Sequence, residues 1–359
     1  MVAADDTRGF NGFDAEYADI VGYTLGSSQK IWHDRALGLI YTHYAHNVAV
    51  HRSDGERYGR EQVLEAAVQT LAALPDLYLE DDEVISSGDA QNGFLVSHRV
   101  KVVGHHLGYS RYGAPTGLPV EFLQISMRTV RENRVLEEWV VTDEIALICQ
   151  LGLDEIELAK SITLEESGRG LRTPAMGLSE IVRSSGQTHP PVRLEGDPRD
   201  PNDLPKLLYG LVWNARMLDQ IRVLYAPNAA IFVPGNRRLE GHDDLTRHVL
   251  GMLAAFPDGA INLDQVVHNP NKTDGFLISA RWTFQGTHLG PSVYGTPTGR
   301  RVRIIGISHL EVRGGQIQSE HTVWDEFALL KQIHWIQKSE PPTSSTGLFN
   351  IGTTERHED

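Results

Sequence analysis

The sequence predicts an α+β fold made of two tandem domains, each a curved antiparallel sheet packed on helices. The first observation is an internal repeat, in which residues 59–150 align without a gap on residues 241–332. Roughly a third of the aligned positions are identical, far above chance. The second observation is the order of patterns in each copy, where helical periodicity precedes several segments of strand periodicity. Such an order is typical of a sheet that packs one face on helices.

Three motifs carry the repeat and recur in the same order. They are LAALPD and LAAFPD at 71–76 and 253–258, GFLVSHR and GFLISAR at 93–99 and 275–281, and YGAPTG and YGTPTG at 112–117 and 294–299. Upstream the register slips by one residue, which pairs Trp32 with Trp213 and Tyr44 with Tyr225. A period of about 140 residues is too long for a solenoid and indicates a duplicated domain.

The elements of each copy follow from apolar periodicity and from helix start and stop signals. Apolar spacing predicts an amphipathic helix at 17–32 and at 207–224. A second helix begins with acidic residues and ends at a proline, and alternating segments predict the strands. In copy one this helix lies at 61–74 and the strands lie at 48–52, 79–86, 93–103, 120–130 and 135–142; copy two repeats the order, with its first strand at 229–233 and its second helix at 243–256.

These patterns divide the chain into four parts. We predict a first domain at 1–155 (repeat 1), a linker at 156–203, a second domain at 204–338 (repeat 2) and a tail at 339–359. From residue 165 the linker is rich in Gly, Ser, Pro and charge, a composition that disfavours long regular elements. It is long enough to let the two repeats pack side by side.

Composition and charge exclude several classes of protein. The 359 residues are 40% hydrophobic and 22% charged, as in ordinary globular proteins. The net charge of −14 argues against nucleic acid and anionic membranes as partners. Residues 1–10 are polar and acidic, unlike a secretory signal, and no apolar stretch is long enough to span a membrane. We therefore expect a soluble cytoplasmic protein.

Strand alternation places a histidine at the end of an apolar face in both copies. The face that starts at Phe94 ends at His106, and the face that starts at Phe276 ends at His288. Both histidines lie in a Gly-x-His-Leu-Gly context, so we expect them at the mouth of an apolar interior. The alternative is a hydrogen-bonded histidine with a structural role.

An aspartate ends the last strand of each copy. Asp143 and Asp325 share a strand face with apolar residues, where an ionised carboxylate needs a partner or a raised pKa. Such an environment creates a general acid or base. The alternative is an aspartate that caps nearby backbone amides. Glu138 and Glu320 lie at the alternate positions of the same strands, so their side chains point away from the face that holds the aspartates. We expect them to face solvent or a partner domain.

Each copy resembles the SnoaL-like polyketide cyclase family, within the nuclear-transport-factor-2-like (NTF2-like) group of cone-shaped α+β domains. The motifs that carry the resemblance are HLG at 106–108 and 288–290, PTG at 115–117 and 297–299, and EWVVTD with QLG at 138–143 and 150–152, echoed at 320–325 and at Gln332. The resemblance implies a deep apolar pocket that the helices close. It also implies an aspartate that acts as an acid–base catalyst without metal or organic cofactor.

Carried over residue by residue, the resemblance assigns roles in both copies. The catalytic aspartate corresponds to Asp143 and Asp325, and the pocket histidine corresponds to His106 and His288. We expect the substrate pockets to include His321, Trp139, His51, Trp282, Tyr44, Tyr225, Trp32 and Trp213. The two pockets are not equivalent, because copy two has His321 in place of Trp139 and a phenylalanine in place of His51. The extra ionisable group makes copy two the better equipped of the two.

The sequence thus favours a cofactor-independent acid/base enzyme acting on a small, largely apolar carbonyl compound. Cyclisation, isomerisation, elimination and related hydrolysis all remain open. The alternative is a non-catalytic protein for small-molecule binding or assembly. A metal enzyme is the least favoured class, since no His-x-Glu or His-x-x-x-His pair lies beside the aspartates. We expect the repeats to form an internal pseudo-dimer, and a homodimer of whole chains is left open. The single cysteine, Cys149, is expected to be a small buried hydrophobe.

Overall fold

The structure is a computed structural model that describes residues 12–168, 194–271 and 275–335. Repeat 1 contains α1 (Ile20–Ser28), α2 (Ile40–His43), β1 (Tyr44–Arg52), β2 (Gly55–Tyr58), α3 (Arg60–Ala73), β3 (Tyr78–Asp89), β4 (Gly93–His105), β5 (Pro119–Arg131), β6 (Arg134–Thr142) and α4 (Glu144–Gln150). Helix α5 (Glu155–Gly168) follows. Repeat 2 contains α6 (Asp203–Leu207), α7 (Ile221–Leu224), β7 (Tyr225–Val233), β8 (Arg237–Glu240), α8 (Gly241–Ala255), β9 (Ala260–Asn271), β10 (Gly275–Thr287), β11 (Arg301–Arg313), β12 (Gln316–Trp324) and α9 (Glu326–Ile333).

The two repeats form two six-stranded sheets with the same topology. The strand order is β2-β1-β6-β5-β4-β3 in the first sheet and β8-β7-β12-β11-β10-β9 in the second. One pair in each sheet is parallel, β1 with β6 and β7 with β12, and the other neighbours are antiparallel. The predicted α+β class with two tandem domains is therefore confirmed.

One face of each sheet, here called the inner face, curves around a helix. In repeat 1, Ala67 of α3 packs with Val50 and Val96 of the sheet in one buried cluster. In repeat 2, Val249 of α8 packs in the same way against Ile231. Small and branched apolar side chains allow this close approach of helix and sheet. The result is a cone-shaped interior in each repeat.

The opposite faces of the two sheets, here called the outer faces, pack on each other. Their buried apolar cluster combines Ile85, Ile125, Met127 and Val141 of repeat 1 with Val267, Ile305, Ile307 and Val323 of repeat 2. A buried polar contact joins the repeats as well, because Ser279 Oγ donates to Ser97 Oγ at 2.8 Å. Both faces of each sheet are thus largely buried.

Several predicted elements differ from the observed ones. The helix predicted at 207–224 is interrupted. Helical turns continue from α6 through Leu208–Asn214, and Arg216 then adopts a left-handed conformation with φ of 58°. Strands β2 and β8 were not predicted, since each has only four residues. Helix α5 lies within the predicted linker. The rest of that linker up to residue 193 and the tail at 339–359 lie outside the described residues.

The expectation for Cys149 is wrong, because the side chain is exposed. The apolar run around it forms α4, and Cys149 lies on the solvent side of that helix while Ile148 is fully buried. Among the helices of the described ranges, none is long and apolar enough to cross a membrane.

We predict that Ile307→Ala strongly destabilises the protein, because Ile307 is fully buried between the outer faces. Removal of a buried branched side chain costs about 2–5 kcal/mol. Urea unfolding of the full chain measures this change in the free energy of unfolding. The control is Val293→Ala, since Val293 is 80% exposed and its loss should cost within about 0.5 kcal/mol. Equal, small effects of the two substitutions would contradict the described interface.

Candidate functional site

An open cavity lies inside repeat 1, between helix α3 and the inner face of the sheet. Its volume is about 120 Å³. Its walls combine an apolar majority with a few polar groups, as is typical of small-molecule sites. The apolar walls include Trp32, Val50, Val63, Leu77, Leu79, Val102 and Phe122, and the polar ones include Tyr44, Arg52, Arg57, Gln62, Gln124, Arg128 and Glu138.

Three polar side chains meet in this cavity. Arg128 and Glu138 are cross-strand partners on β5 and β6, and Arg128 Nε donates to Glu138 Oε1 at 2.6 Å. The Tyr44 hydroxyl lies beside the same carboxylate. Burial disfavours the Arg128 cation, but the charge and hydrogen bond of Glu138 and the nearby tyrosines together outweigh burial and raise the pKa of Arg128. Burial and the Glu138 charge also raise the pKa of Tyr44, so its hydroxyl stays protonated.

Repeat 2 keeps the glutamate but changes its surroundings. Glu320 corresponds to Glu138, and its strand partner is Leu310, which replaces Arg128. The carboxylate accepts hydrogen bonds from the hydroxyls of Tyr225 and Thr322. Burial raises the pKa of Glu320. The two glutamates are buried, at 5% and 7% exposure, so the expectation that they face solvent or a partner domain is wrong.

Aromatic side chains largely fill the cone of repeat 2. The remaining cavity is about 30 Å³. Trp282 lies opposite Gly306 on the neighbouring strand, whereas the same pair in repeat 1 is Val100 and Gln124. A Cβ at Gly306 would lie only 2.2 Å from the Trp282 ring, so the glycine makes room for the indole. The Trp282 Nε1 donates to Ser308 Oγ at 3.1 Å, which fixes the ring in the core.

The predicted catalytic aspartate of repeat 1 caps a helix at the junction of the repeats. Asp143 Oδ1 accepts from the Ala146 amide at 3.0 Å at the start of α4. Both carboxylate oxygens also accept from the Gly235 amide, each at 2.8 Å, in the β7–β8 turn of repeat 2. Burial raises the pKa of Asp143, and these backbone amides oppose the rise. The capping alternative therefore describes its geometry, and Asp143 is not among the lining residues of the repeat 1 cavity.

The corresponding Asp325 caps α9, where its Oδ1 accepts from the Ala328 amide at 2.8 Å. Its remaining neighbours differ from those of Asp143. Burial, together with the nearby Glu144 and Asp54 carboxylates of repeat 1, raises the pKa of Asp325 to about 7. Asp325 is likewise absent from the lining of the repeat 2 cavity. Two carboxylates thus lie near Asp325, whereas backbone amides of the other repeat contact Asp143.

The predicted pocket histidines organise a loop instead of lining a cavity. His106 Nε2 hydrogen-bonds Ser110 Oγ at 2.9 Å, and its Nδ1 contacts Thr116 Oγ1 at 3.3 Å. His288 makes the equivalent contacts in repeat 2. Burial lowers the pKa of both histidines. We correct the expectation that the two aspartates and two histidines face the pockets; their role in catalysis stays a prediction, and their contacts favour a structural one.

Three further residues predicted to line the pockets lie on the outer faces. Trp139 stacks with His51 at a centroid distance of 5.0 Å, and Arg281 of repeat 2 lies 4.0 Å over its ring. His321 stacks with Phe232 at 4.4 Å. The pocket assignment of Trp139, His51 and His321 is therefore wrong. The physical reason is that both faces of each sheet are buried. Apolar side chains at alternate positions of a strand therefore did not identify the inner face.

The remaining aromatic residues line the two cavities, and their contact with a substrate stays a prediction. Trp32 and Tyr44 line the cavity of repeat 1, and Trp213, Tyr225 and Trp282 line that of repeat 2. Sequence reasoning missed the polar residues of the open cavity, namely Arg52, Arg57, Gln62, Gln124, Arg128 and Glu138. A signal existed in the alignment of the two copies, where the arginines are exchanged for apolar residues while the glutamate is kept. Across residues 12–168, 194–271 and 275–335, no group of three or more His, Cys, Asp or Glu could hold a metal ion.

Comparison with known proteins identifies the family. The sequence model of the SnoaL-like polyketide cyclase family matches residues 24–151 and 206–333, together more than half of the chain. The chain belongs to the SnoaL-like polyketide cyclase family. This SnoaL-like protein carries the family domain twice. A search of curated proteins found no match.

Among solved structures, similar chains each cover well under half of this SnoaL-like protein. IdmH from Streptomyces antibioticus, a candidate polyketide cyclase, is 24% identical and covers 37% of this chain and 98% of its own, with a TM-score of 0.33. A SnoaL-like protein from Jannaschia sp. CCS1 is 16% identical and covers 40% and 98%, with a TM-score of 0.34. TsrD from Streptomyces laurentii is 19% identical and covers 40% and 100%, with a TM-score of 0.33.

We predict that Gly306→Ala destabilises repeat 2 by about 1–3 kcal/mol, because the added methyl displaces Trp282 from a packed core. Combining it with Trp282→Val, which restores the small residue found in repeat 1, should recover part of that loss. Thermal unfolding of the two single variants and the double variant measures the coupling. Gly251→Ala is the control, since nothing lies within 4 Å of the added atom. Additive effects of the two changes would contradict the close contact.

We predict that Asp325→Asn changes how stability depends on pH. The folded protein holds the Asp325 proton up to about pH 7, whereas the unfolded chain releases it near the ordinary value of 3.8. The free energy of unfolding therefore falls as the pH rises between these values, and asparagine removes that fall while it keeps the helix cap. The variant should be more stable than the parent at about pH 8, by on the order of 1 kcal/mol, and the gain should shrink toward about pH 5.

Urea unfolding across this pH range provides the measurement. Asp143→Asn is the matched control, since its carboxylate accepts three backbone amides that a single amide oxygen cannot satisfy. It should lower stability at both pH values. An Asp325→Asn variant whose pH profile parallels that of the parent would contradict the described environment of Asp325.

Proposed function

We propose that repeat 1 is a cofactor-independent acid/base catalyst that acts on a small, largely apolar carbonyl compound inside its cavity. The observation that carries the proposal is the contrast between the repeats. Glu138 lies in an open cavity with a cation and a phenol as partners, whereas Glu320 lies in a cone filled by aromatic rings. Membership of the SnoaL-like polyketide cyclase family supports the reaction class.

The chemistry uses three groups of the cavity. The Glu138 carboxylate accepts a proton from the carbon next to the substrate carbonyl, and the C–H electron pair becomes the C=C bond of an enolate. The carbonyl π electrons move to the oxygen, where the Tyr44 hydroxyl donates a hydrogen bond. Arg128 keeps a positive charge beside the glutamate throughout. In isomerisation the enolate regains the proton from Glu138 at another carbon. In cyclisation the enolate carbon bonds to a second carbonyl carbon of the same molecule, the π electrons of that carbonyl move to its oxygen, and this oxygen takes the proton from Glu138. Acid–base assistance of this kind contributes typically ~10²–10⁴ in rate.

A second candidate is a non-catalytic protein that binds a small molecule in the same cavity. The observation that favours it is the pairing of Glu138, whose carboxylate already accepts a hydrogen bond from Arg128 and lies beside the Tyr44 hydroxyl. A carboxylate satisfied in this way is stable without a substrate. Binding without proton transfer distinguishes this candidate from the enzyme.

We predict that Glu138→Gln lowers the rate of α-proton exchange by about 10²–10⁴, because glutamine cannot accept the proton. The measurement follows deuterium incorporation into phenylacetone and ethyl acetoacetate in D₂O by NMR, with the full chain as catalyst. The matched control is Glu320→Gln, the same isosteric change in the filled repeat, which should leave the rate unchanged.

Two results would contradict the proposed enzyme. One is an exchange rate that does not change in Glu138→Gln. A lower exchange rate in Asp143→Asn, with the fold intact, would then assign the role of proton acceptor to Asp143. The other is stabilisation of the protein by the ketones in thermal unfolding without any exchange, which would favour the binding protein.

A further inference from the structure

Two arginines line the cavity of repeat 1 away from the Glu138–Arg128 pair. Arg52 ends β1, and Arg57 lies opposite Val50 on the adjacent strand β2. Val50, Arg52 and Arg57 all line the cavity, since alternate residues of β1 share a face and Arg57 shares it through pairing. The two guanidinium groups therefore enter the same side of the cavity from neighbouring strands.

Neither guanidinium donates a hydrogen bond to any of the described residues. The Asp54 carboxylate approaches both, at 3.8 Å from Arg52 and 3.9 Å from Arg57, and it is shared with Arg111 at 3.7 Å. These distances exceed hydrogen-bond length. Asp325 also lies near Arg52. Burial and the neighbouring Arg52 cation lower the pKa of Arg57, so the protein brings two like charges together.

Repeat 2 has lost these cations together with its open cavity. By strand pairing, Arg52 corresponds to Val233 and Arg57 corresponds to Leu239, because Ile231 pairs with Leu239 where Val50 pairs with Arg57. All three cavity arginines of repeat 1 are therefore apolar in repeat 2. Arginines are thus present where the cavity is open and absent where aromatic rings fill it.

We propose that the repeat 1 cavity takes small molecules that carry a carboxylate, which Arg52 and Arg57 bind while the apolar body of the molecule contacts Trp32 and Phe122. The planar guanidinium groups match the two oxygens of a carboxylate. This inference rests on the proposed function and narrows its substrate class to carboxylate-bearing carbonyl compounds. The carboxylate lies at the arginine side of the cavity, and the reacting carbon faces Glu138.

The test compares isosteric probes that differ in charge. Isothermal titration calorimetry of the full chain measures the affinity of phenylacetate and 2-naphthylacetate against phenylacetamide and 2-naphthylacetamide. We expect each acid to bind at least about tenfold more tightly than its amide, since charge-assisted hydrogen bonds are about twice as strong as neutral ones. Arg52→Val and Arg57→Leu, which introduce the residues of repeat 2, should abolish this preference.

The matched control is Arg238→Leu, which removes one cation from the outer side of repeat 2, where Arg238 pairs with Glu240. It should leave the preference unchanged, and thermal unfolding shows that each variant is folded. Equal affinity for acid and amide, or binding of neither acid, would overturn the proposal. So would a preference that persists in both arginine variants.

Failure of this proposal is distinguishable from failure of the proposed function. Glu138→Gln should abolish proton exchange but retain the preference for the acid. Amides that bind as tightly as the acids, with proton exchange intact, would remove only the carboxylate specificity. Acids that bind through Arg52 and Arg57 without any proton exchange would support the carboxylate site and contradict the proposed enzyme.

Discussion

The packing of the two sheets through their outer faces is the constraint on which the rest of the structure depends. It buries Met127 and Ile307 between the repeats and leaves only the inner face of each sheet to form a cavity. It also brings the β7–β8 turn of repeat 2 against Asp143, so that a helix cap of one repeat is satisfied by amides of the other. The two copies of the domain thus pack on each other within one chain.

The cavities of the two repeats differ both in volume and in the charge of their lining residues. In repeat 1 a valine and a glutamine take the positions of Trp282 and Gly306, and three arginines line the open cavity. In repeat 2 the large Trp282 side chain lies opposite Gly306 on the neighbouring strand, and its ring fills the cone. Burying three guanidinium groups against aromatic rings would be costly, because a charge without a partner in an apolar core is strongly unfavourable. The loss of the arginines is therefore a physical requirement of the filling.

The sequence predicted the duplication, the α+β class, the family and most strands to within a few residues. These depend on local periodicity and on identities between the copies, which the chain displays directly. It did not predict which parity of a strand faces the cavity. Trp139 and Glu138 are neighbours on β6, and the apolar one was expected inside; it packs on Arg281 of the other repeat, while the glutamate is held inside by Arg128. Only the packing of the sheets decides between these faces.

The most direct test of this account is a crystal structure of the full chain soaked with phenylacetone. The account predicts electron density for the ketone in repeat 1, beside the Glu138 carboxylate and within reach of the Tyr44 hydroxyl, and a Trp282 ring that fills repeat 2. Density for the ketone beside Glu320, or a Glu138 side chain turned to solvent with the cavity closed, would contradict it.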